Sequence, residues 1–105
     1  MIIQFNSDTN ITGRAKFSAP IIALISKKLS TFNDKISRLE VHLSDEVSDE
    51  DGLNDKRCML EARFAGMQPV AVTNRADSHE KAVGGAIEML SASLNNMLGY
   101  FNNYR

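Results

Sequence analysis

Residues 56–75, KRCMLEARFAGMQPVAVTNR, determine the fold because apolar and polar side chains alternate on both sides of a turn. Over residues 56–64 this alternation predicts a β-strand with one apolar face. The pair Gly66-Met67 predicts a tight turn, and a shorter strand follows with Pro69 near its start, which is typical of an edge strand or a strand entry. The side chains predicted to lie inward on these two strands are Cys58, Leu60, Ala62, Phe64, Val70 and Val72.

Two other segments carry the same period of two. They are residues 36–44, ISRLEVHLS, and the opening residues 1–6, MIIQFN. Leu39, Val41 and Leu43 point to one side of the first segment. In the second, Met1, Ile3 and Phe5 share one side and Ile2, Gln4 and Asn6 share the other. The sequence therefore predicts four strands, with the inward side chains forming one apolar face.

A helix is predicted between Phe17 and Phe32, where apolar residues recur at three- and four-residue steps. Its apolar stripe consists of Phe17, Ile21, Ile22, Ile25, Leu29 and Phe32. Pro20 leaves two interpretations open. It fits the first turn if Ser18 is the N-cap, whereas a helix that begins earlier loses a backbone hydrogen bond at the proline and bends.

A longer helix is predicted to begin at Asp77, which forms a variant of the capping box with Glu80. Its apolar stripe consists of Val83, Ala86, Ile87, Leu90, Leu94, Met97, Leu98 and Phe101. Gly84 and Gly85 each lower the intrinsic stability of a helix by roughly 1 kcal/mol relative to alanine. This pair therefore predicts a close crossing of the helix over the sheet or over the first helix.

The predicted order β-α-β-β-β-α indicates the α+β class. We expect a two-layer sandwich in which two helices lie on one face of a four-stranded sheet that contains an antiparallel meander. The chain has 105 residues, 43% of them hydrophobic and 24% charged, so one domain over residues 1–105 is expected to fold without a disulfide or a metal.

The remaining composition excludes several classes of protein. A single cysteine excludes an internal disulfide, and no apolar run approaches the roughly 18 residues of a membrane span. The start, MIIQFNSD, lacks the zones of a signal peptide. We therefore expect a cytoplasmic protein without a membrane partner.

No residue pattern indicates catalysis or metal binding. The acidic stretch 44–55, SDEVSDEDGLND, fails as a calcium loop because, counted from Val47, its first position is not an acid and its twelfth is Cys58. A solvated loop between the second and third strands is the better interpretation. Cys58 is expected to be a core residue, and His42 and His79 have no metal-ligand spacing. We expect no enzyme, no cofactor, no metal and no small-molecule substrate.

Two groups of basic residues are candidates for binding RNA. The net charge of -1 gives no overall attraction for nucleic acid, so RNA binding would have to come from local basic patches. Ordinary solubilising charge explains the first group equally well, and cross-strand pairs with Glu40 and Glu61 explain much of the second. Arginine nevertheless matches phosphate oxygens at two points. The candidates are Arg14, Lys16, Lys27 and Lys28 in the first helical region, and Arg38, Arg57, Arg63 and Arg75 on the solvated side of the sheet, with His42 among them.

The segments MIIQFN, RLEVHLSDE and DGLNDKRCMLEARFAGMQPVAV, followed by AVGGAIEML, resemble the ribosome hibernation promoting factor and protein Y family. These proteins are also called ribosome-associated inhibitors or sigma-54 modulation proteins. The resemblance spans nearly the whole chain, and since longer members continue beyond the position of Arg105 into a dimerising domain, it is to the short form.

The resemblance implies a fold like that of the double-stranded-RNA-binding domain. It also implies a bacterial protein that binds rRNA of the small ribosomal subunit, in the channel used by mRNA and tRNA. Such a protein holds idle ribosomes inactive in stationary phase or stress.

An alternative remains open because the second helix is neutral where family members carry Lys or Arg. The matching positions are Met89, Ala92 and Asn96, and on the first helix Lys28 matches a basic position whereas Thr31 does not. This pattern favours a protein-interaction module that associates with itself, for instance as a homodimer, or with another protein. RNA binding would weaken steeply with salt, whereas an apolar interface would not.

Overall fold

The structure, a computed structural model, describes residues 1–7, 14–45 and 56–103, and for residues 7, 14–17 and 98–103 it describes the backbone alone. Within these ranges the elements are β1 (Ile2–Ser7), α1 (Arg14–Lys28), a 3-10 helix (Ser30–Phe32), β2 (Arg38–Asp45), β3 (Lys56–Arg63), β4 (Val70–Ala76) and α2 (His79–Asn103). This is the predicted order, and the α+β class is confirmed.

The described strands form one sheet in the order β1-β2-β3-β4. The pairs β2–β3 and β3–β4 are antiparallel, with Val41 opposite Leu60 and Leu60 opposite Val72, so the predicted meander is confirmed. Strand β1 runs parallel to β2, with Ile2 opposite Arg38. A parallel neighbour requires a crossover connection, and α1 lies in that connection.

The core lies between the sheet and the two helices. The sheet contributes Leu39, Val41, Leu43, Cys58, Leu60 and Ala62, all buried. The helical layer contributes Ile21, Ile25, Leu29, Phe32, Ala82, Val83, Ala86, Ile87, Leu90 and Leu94. Burial of each large aliphatic side chain stabilises the fold by about 1.5–3 kcal/mol before entropic costs. Both helices thus cover one face of the sheet, as predicted, and no described helix lies on the other face.

Helix α1 begins at Arg14, so the interpretation with Ser18 as the N-cap is wrong. Pro20 lies inside the helix, and since proline has no backbone N–H, the carbonyl of Lys16 lacks its usual helical donor. Periodicity missed the first turn because residues 14–16 contain no member of the apolar stripe. The predicted C-terminal end also differs: the α-helix ends at Lys28, and the 3-10 helix carries the buried Phe32.

Helix α2 is capped by Ser78 and not, as predicted, by Asp77. The Ser78 hydroxyl accepts a hydrogen bond from the backbone N–H of Lys81 at 3.2 Å, which satisfies one of the free donors of the first turn. Asp77 instead forms an ion pair with the Lys81 ammonium, 3.2 Å from Oδ1. The cap belongs to Ser78 because it immediately precedes the first helical residue, His79.

The predicted close crossing of α2 over the sheet is confirmed at Gly85. A Cβ atom there would lie 2.8 Å from Cγ of Asn74 on β4, whereas a Cβ atom at Gly84 would meet nothing within 4 Å. The Asn74 side chain donates through Nδ2 to the carbonyls of Ala82 at 3.2 Å and Lys81 at 3.4 Å. Asn74 therefore ties the start of α2 to β4, and Gly85 provides the room.

Candidate nucleic-acid interface

The solvated side of the sheet is called here the open sheet face. Alternation along each strand places on it the side chains that do not enter the core. They are Ile2, Gln4 and Asn6 on β1, Arg38, Glu40, His42 and Ser44 on β2, Arg57, Met59, Glu61 and Arg63 on β3, and Ala71, Thr73 and Arg75 on β4. The four arginines predicted to share this face do so.

At one end of the open sheet face, Arg38 and Arg63 are direct cross-strand neighbours held by acids. Arg63 Nε donates to Glu40 Oε2 at 2.9 Å, and Arg63 Nη2 lies 2.8 Å from Glu61 Oε1. Arg38 Nη2 donates to the same Glu40 oxygen at 3.4 Å. Two arginines and two glutamates therefore form one ion network, whose charges largely cancel.

Glu40 is the centre of this network. Its hydrogen bond from Arg63 holds the pKa of the carboxyl below its ordinary value of 4.5, and the hydrogen bond from Arg38 and the charges of both arginines act in the same direction against the cost of burial. The hydrogen bond to Glu40 correspondingly raises the pKa of the Arg63 guanidinium. His42 Nε2 also lies 3.6 Å from Glu40 Oε1. Glu40 thus remains ionised throughout the neutral range.

At the other end of the open sheet face, Arg57 lies opposite Arg75 on β4 and opposite Ser44 on β2. Opposed like charges destabilise a sheet by a few tenths of a kcal/mol to about 1 kcal/mol. Among the described residues of this face, four arginines and two glutamates leave two positive charges.

The basic residues of α1 lie on the opposite side of the sheet. Lys27 and Lys28, which form the lysine end of α1, are exposed in the last turn of the helix. Positive charge at a helix C-terminus interacts favourably with the helix dipole by about 0.3–1 kcal/mol, so the pair has a structural role in any case. Arg14 and Lys16 lie in the first turn of α1, and their side chains are outside the described part.

The candidate residues are thus divided between two sides of the molecule. The open sheet face carries four of them, whereas α1 packs on the covered face and carries the other four. The helix itself is about 10 Å in diameter. The sequence did predict both groups, but the structure does not bring them into a single surface.

The outer side of α2 is neutral in its second half. The positions matched above to basic residues of the resembled family, Met89, Ala92 and Asn96, are exposed. Met89 keeps 43% of its surface accessible. Between Met89 and Asn103 the sequence of α2 contains no charged residue. This surface offers nothing to attract a phosphate by charge.

The remaining candidate groups fit the core or the surface. Cys58 is fully buried, and this burial raises the pKa of its thiol to about 12, so it is not a thiolate nucleophile at neutral pH. Among the described residues no three His, Cys, Asp or Glu side chains are grouped to hold a metal ion. The acidic residues 46–55 lie outside the described ranges. No helix in those ranges is long and apolar enough to cross a membrane.

The uneven distribution of acids is the feature that sequence reasoning missed. Parity placed Glu40 and Glu61 on the open sheet face, but did not predict that both would pair with Arg63. The strand register would have predicted this pairing. Glu40 and Glu61 are direct cross-strand neighbours, and they lie two residues along their strands from Arg38 and Arg63, respectively.

Two solved structures have the same fold as this chain. A ribosomal subunit interface protein from Coxiella burnetii superposes with a TM-score of 0.68 at 18% identity, covering 94% of this chain and 99% of that one. The N-terminal domain of Thermus thermophilus Protein Y superposes with a TM-score of 0.65 at 17% identity, covering 92% of this chain and 99% of that domain. No protein-family profile and no curated protein matched. The resemblance inferred from sequence motifs is therefore confirmed at the level of the fold.

Proposed function

We propose that this protein is a ribosome-associated factor that binds rRNA of the small subunit and holds idle bacterial ribosomes inactive. The observation that carries the proposal is the shared fold with a ribosomal subunit interface protein over 94% of the chain. The motifs that resemble the hibernation promoting factor and protein Y family support the same role. Such a role would place the protein in the cytoplasm and requires no catalysis.

The proposed mechanism is occupation of a site on the ribosome. Lysine and arginine contacts to phosphate supply sequence-independent affinity and fix orientation, and the bound domain excludes other ligands by its volume. The proposed phosphate contacts are the arginines of the open sheet face, Arg38, Arg57, Arg63 and Arg75, and the lysine end of α1. At Arg38 and Arg63 a phosphate would have to displace Glu40 and Glu61.

Co-sedimentation with purified small subunits tests the proposal. We expect binding at low salt that weakens toward physiological salt, with a log–log slope of about 0.7–0.9 per phosphate contact. The double variant Lys27→Gln/Lys28→Gln should bind more weakly and with a shallower slope. Lys81→Gln, which removes an exposed charge on α2, is the matched control and should behave like the wild type.

Inhibition needs a separate readout. Addition of the protein to a cell-free translation reaction should lower synthesis in proportion to the fraction of subunits occupied. A protein that fails to sediment with subunits even at low salt would contradict the proposal.

A second candidate function, a protein-interaction module, is favoured by the neutral outer side of α2 with its exposed Met89. An apolar contact there would bury Met89 and depend little on salt. If sedimentation with ribosomes is salt-independent and is abolished by Met89→Asp but not by the lysine variant, this second function replaces the first.

A further inference from the structure

The outer edge of β1 carries backbone groups directed away from the sheet. The N–H of Ile2 donates to the carbonyl of Ser37 at 3.1 Å, which fixes the even-numbered residues of β1 as those bonded to β2. Ile3 and Phe5 therefore direct their N–H and C=O groups outward. Within residues 1–7, 14–45 and 56–103, no strand pairs with this edge. Backbone donors and acceptors require partners, either water or another strand.

Strand β1 also lacks the features that keep an edge from pairing. It contains no charged residue and no proline, and its register with β2 runs without a bulge from Ile2 to Ser7. The other edge strand, β4, is preceded by Pro69 and contains Arg75. Proline and charge typically protect an edge strand from pairing with another chain. Strand β4 has both features, and β1 has neither.

We propose that β1 pairs antiparallel with β1 of a second copy of this chain, about a two-fold axis through Gln4. The two four-stranded sheets then form one continuous sheet of eight strands. This inference goes beyond ribosome binding and does not depend on it.

Backbone geometry selects this register. With the axis at Gln4, Ile3 lies opposite Phe5 of the second copy, and each exchanges both of its outward hydrogen bonds with the other. Ile2 and Asn6 flank these pairs as opposed residues without hydrogen bonds, so the paired segment runs from Ile2 to Asn6. Met1 precedes β1, and its ammonium donates to Asn33. The side chains of Ile3 and Phe5 point toward the helical layer and are only partly buried in a single copy. In the dimer they form β-branched–aromatic pairs across the axis, a favourable combination.

Charge is also compatible with self-pairing. On the open sheet face, Gln4 lies opposite Gln4 of the second copy, where the two amides can hydrogen-bond. Ile2, with 68% of its surface exposed, lies beside Asn6 of the second copy. No like charges oppose each other along the paired strands, whereas a charged edge would repel its own copy.

Sedimentation velocity of the pure protein, from micromolar to near-millimolar concentration and without RNA, tests the proposal. The wild type should pass from monomer to dimer as concentration rises. Gln4→Lys places two ammonium groups opposite each other at the axis and should raise the dimer dissociation constant about tenfold or more. Within one copy the new lysine lies beside Glu40, so the monomer tolerates it.

Thr73→Lys is the matched control, since Thr73 is exposed on the open sheet face of the opposite edge strand, and it should dimerise like the wild type. Hydrogen exchange of the wild type is an independent readout: the Ile3 and Phe5 amides should become slower to exchange as concentration rises. A protein that stays monomeric, two lysine variants with equal effect, or exchange at Ile3 and Phe5 that ignores concentration would each overturn the proposal.

Discussion

At the scale of single residues, Glu40 controls the charge that the open sheet face presents. It accepts hydrogen bonds from both Arg38 and Arg63, and its neighbour Glu61 adds a second carboxylate to Arg63. Arg38 and Arg63 thus share one carboxylate, a grouping that the sequence alone does not show.

The pH dependence of stability follows from the lowered pKa of Glu40. A carboxyl whose pKa is lower in the folded state stabilises the protein at every pH above its ordinary value of 4.5, and this contribution disappears as pH falls through the folded pKa. Glu40→Gln should therefore lower the urea midpoint at pH 7 and make little difference in strong acid.

Glu88→Gln, at an exposed position on α2, is the control for this measurement and should shift the midpoint less at pH 7. A Glu40→Gln deficit that is the same at pH 7 and in strong acid would show that the side chain acts through packing and not through its charge.

Single-residue placement on the sheet was predictable from sequence because the strand period of two has only two phases. Each of Leu39, Val41 and Leu43 had to share a face with the others, and their neighbours had to share the opposite face. Which acid binds which arginine was not predictable, because it depends on side-chain conformations across two strands. The local parity rule contains no information about them.

At the scale of elements, helix termini were predicted less well than strands. The start of α1 at Arg14 was missed because its first turn lies outside the apolar stripe, and Pro20 suggested a later start. The cap of α2 was assigned to Asp77 although Ser78 forms it. The second error arises because adjacent residues compete for a cap, and the backbone geometry that decides between them is set by tertiary packing.

The two adjacent glycines of α2 provide a matched pair of variants. Gly84→Ala should stabilise the protein by up to about 1 kcal/mol, because the new methyl group enters open space and alanine favours the helix. Gly85→Ala should instead be destabilising by about 1–3 kcal/mol, because the methyl group displaces the Asn74 side chain and its bonds to α2. Urea unfolding of the two variants measures the contrast.

A double variant tests whether Asn74 causes the destabilisation expected for Gly85→Ala. In the background Asn74→Ala the obstruction is absent, so Gly85→Ala should lose most of its cost. Equal costs in both backgrounds would mean that something other than Asn74 limits the approach of α2 to β4.

At the scale of the whole molecule, the division of basic residues between two sides determines how RNA can be bound. A single flat rRNA surface contacts either the open sheet face or the lysine end of α1, whereas a channel contacts both. The sequence could not reveal this division, because the two groups are recognised by different periodicities and only the packing of α1 on the covered face sets them apart.

We expect contacts on both sides, since the resemblance to the hibernation promoting factor and protein Y family implies binding in a channel. Arg57→Gln/Arg75→Gln and Lys27→Gln/Lys28→Gln should each weaken sedimentation with small subunits, and the losses of free energy should add in the quadruple variant because the sites are well separated. Circular dichroism of each variant checks that the fold is retained. If only one of the two double variants sediments more weakly with small subunits, the ribosomal surface contacts only one side of the protein.

The parallel pairing of β1 with β2 has a consequence for the order of folding. Strands β2, β3 and β4 follow one another along the chain, with the Gly66 turn between the last two, whereas Ile2 meets Arg38 only after all of α1 has been traversed. Closing that longer loop costs more chain entropy and forms only one strand pair, so we expect the meander with α2 to be the folding nucleus. We expect strand β1 to join last and, by the same reasoning, to be the first strand to detach when the native protein opens locally.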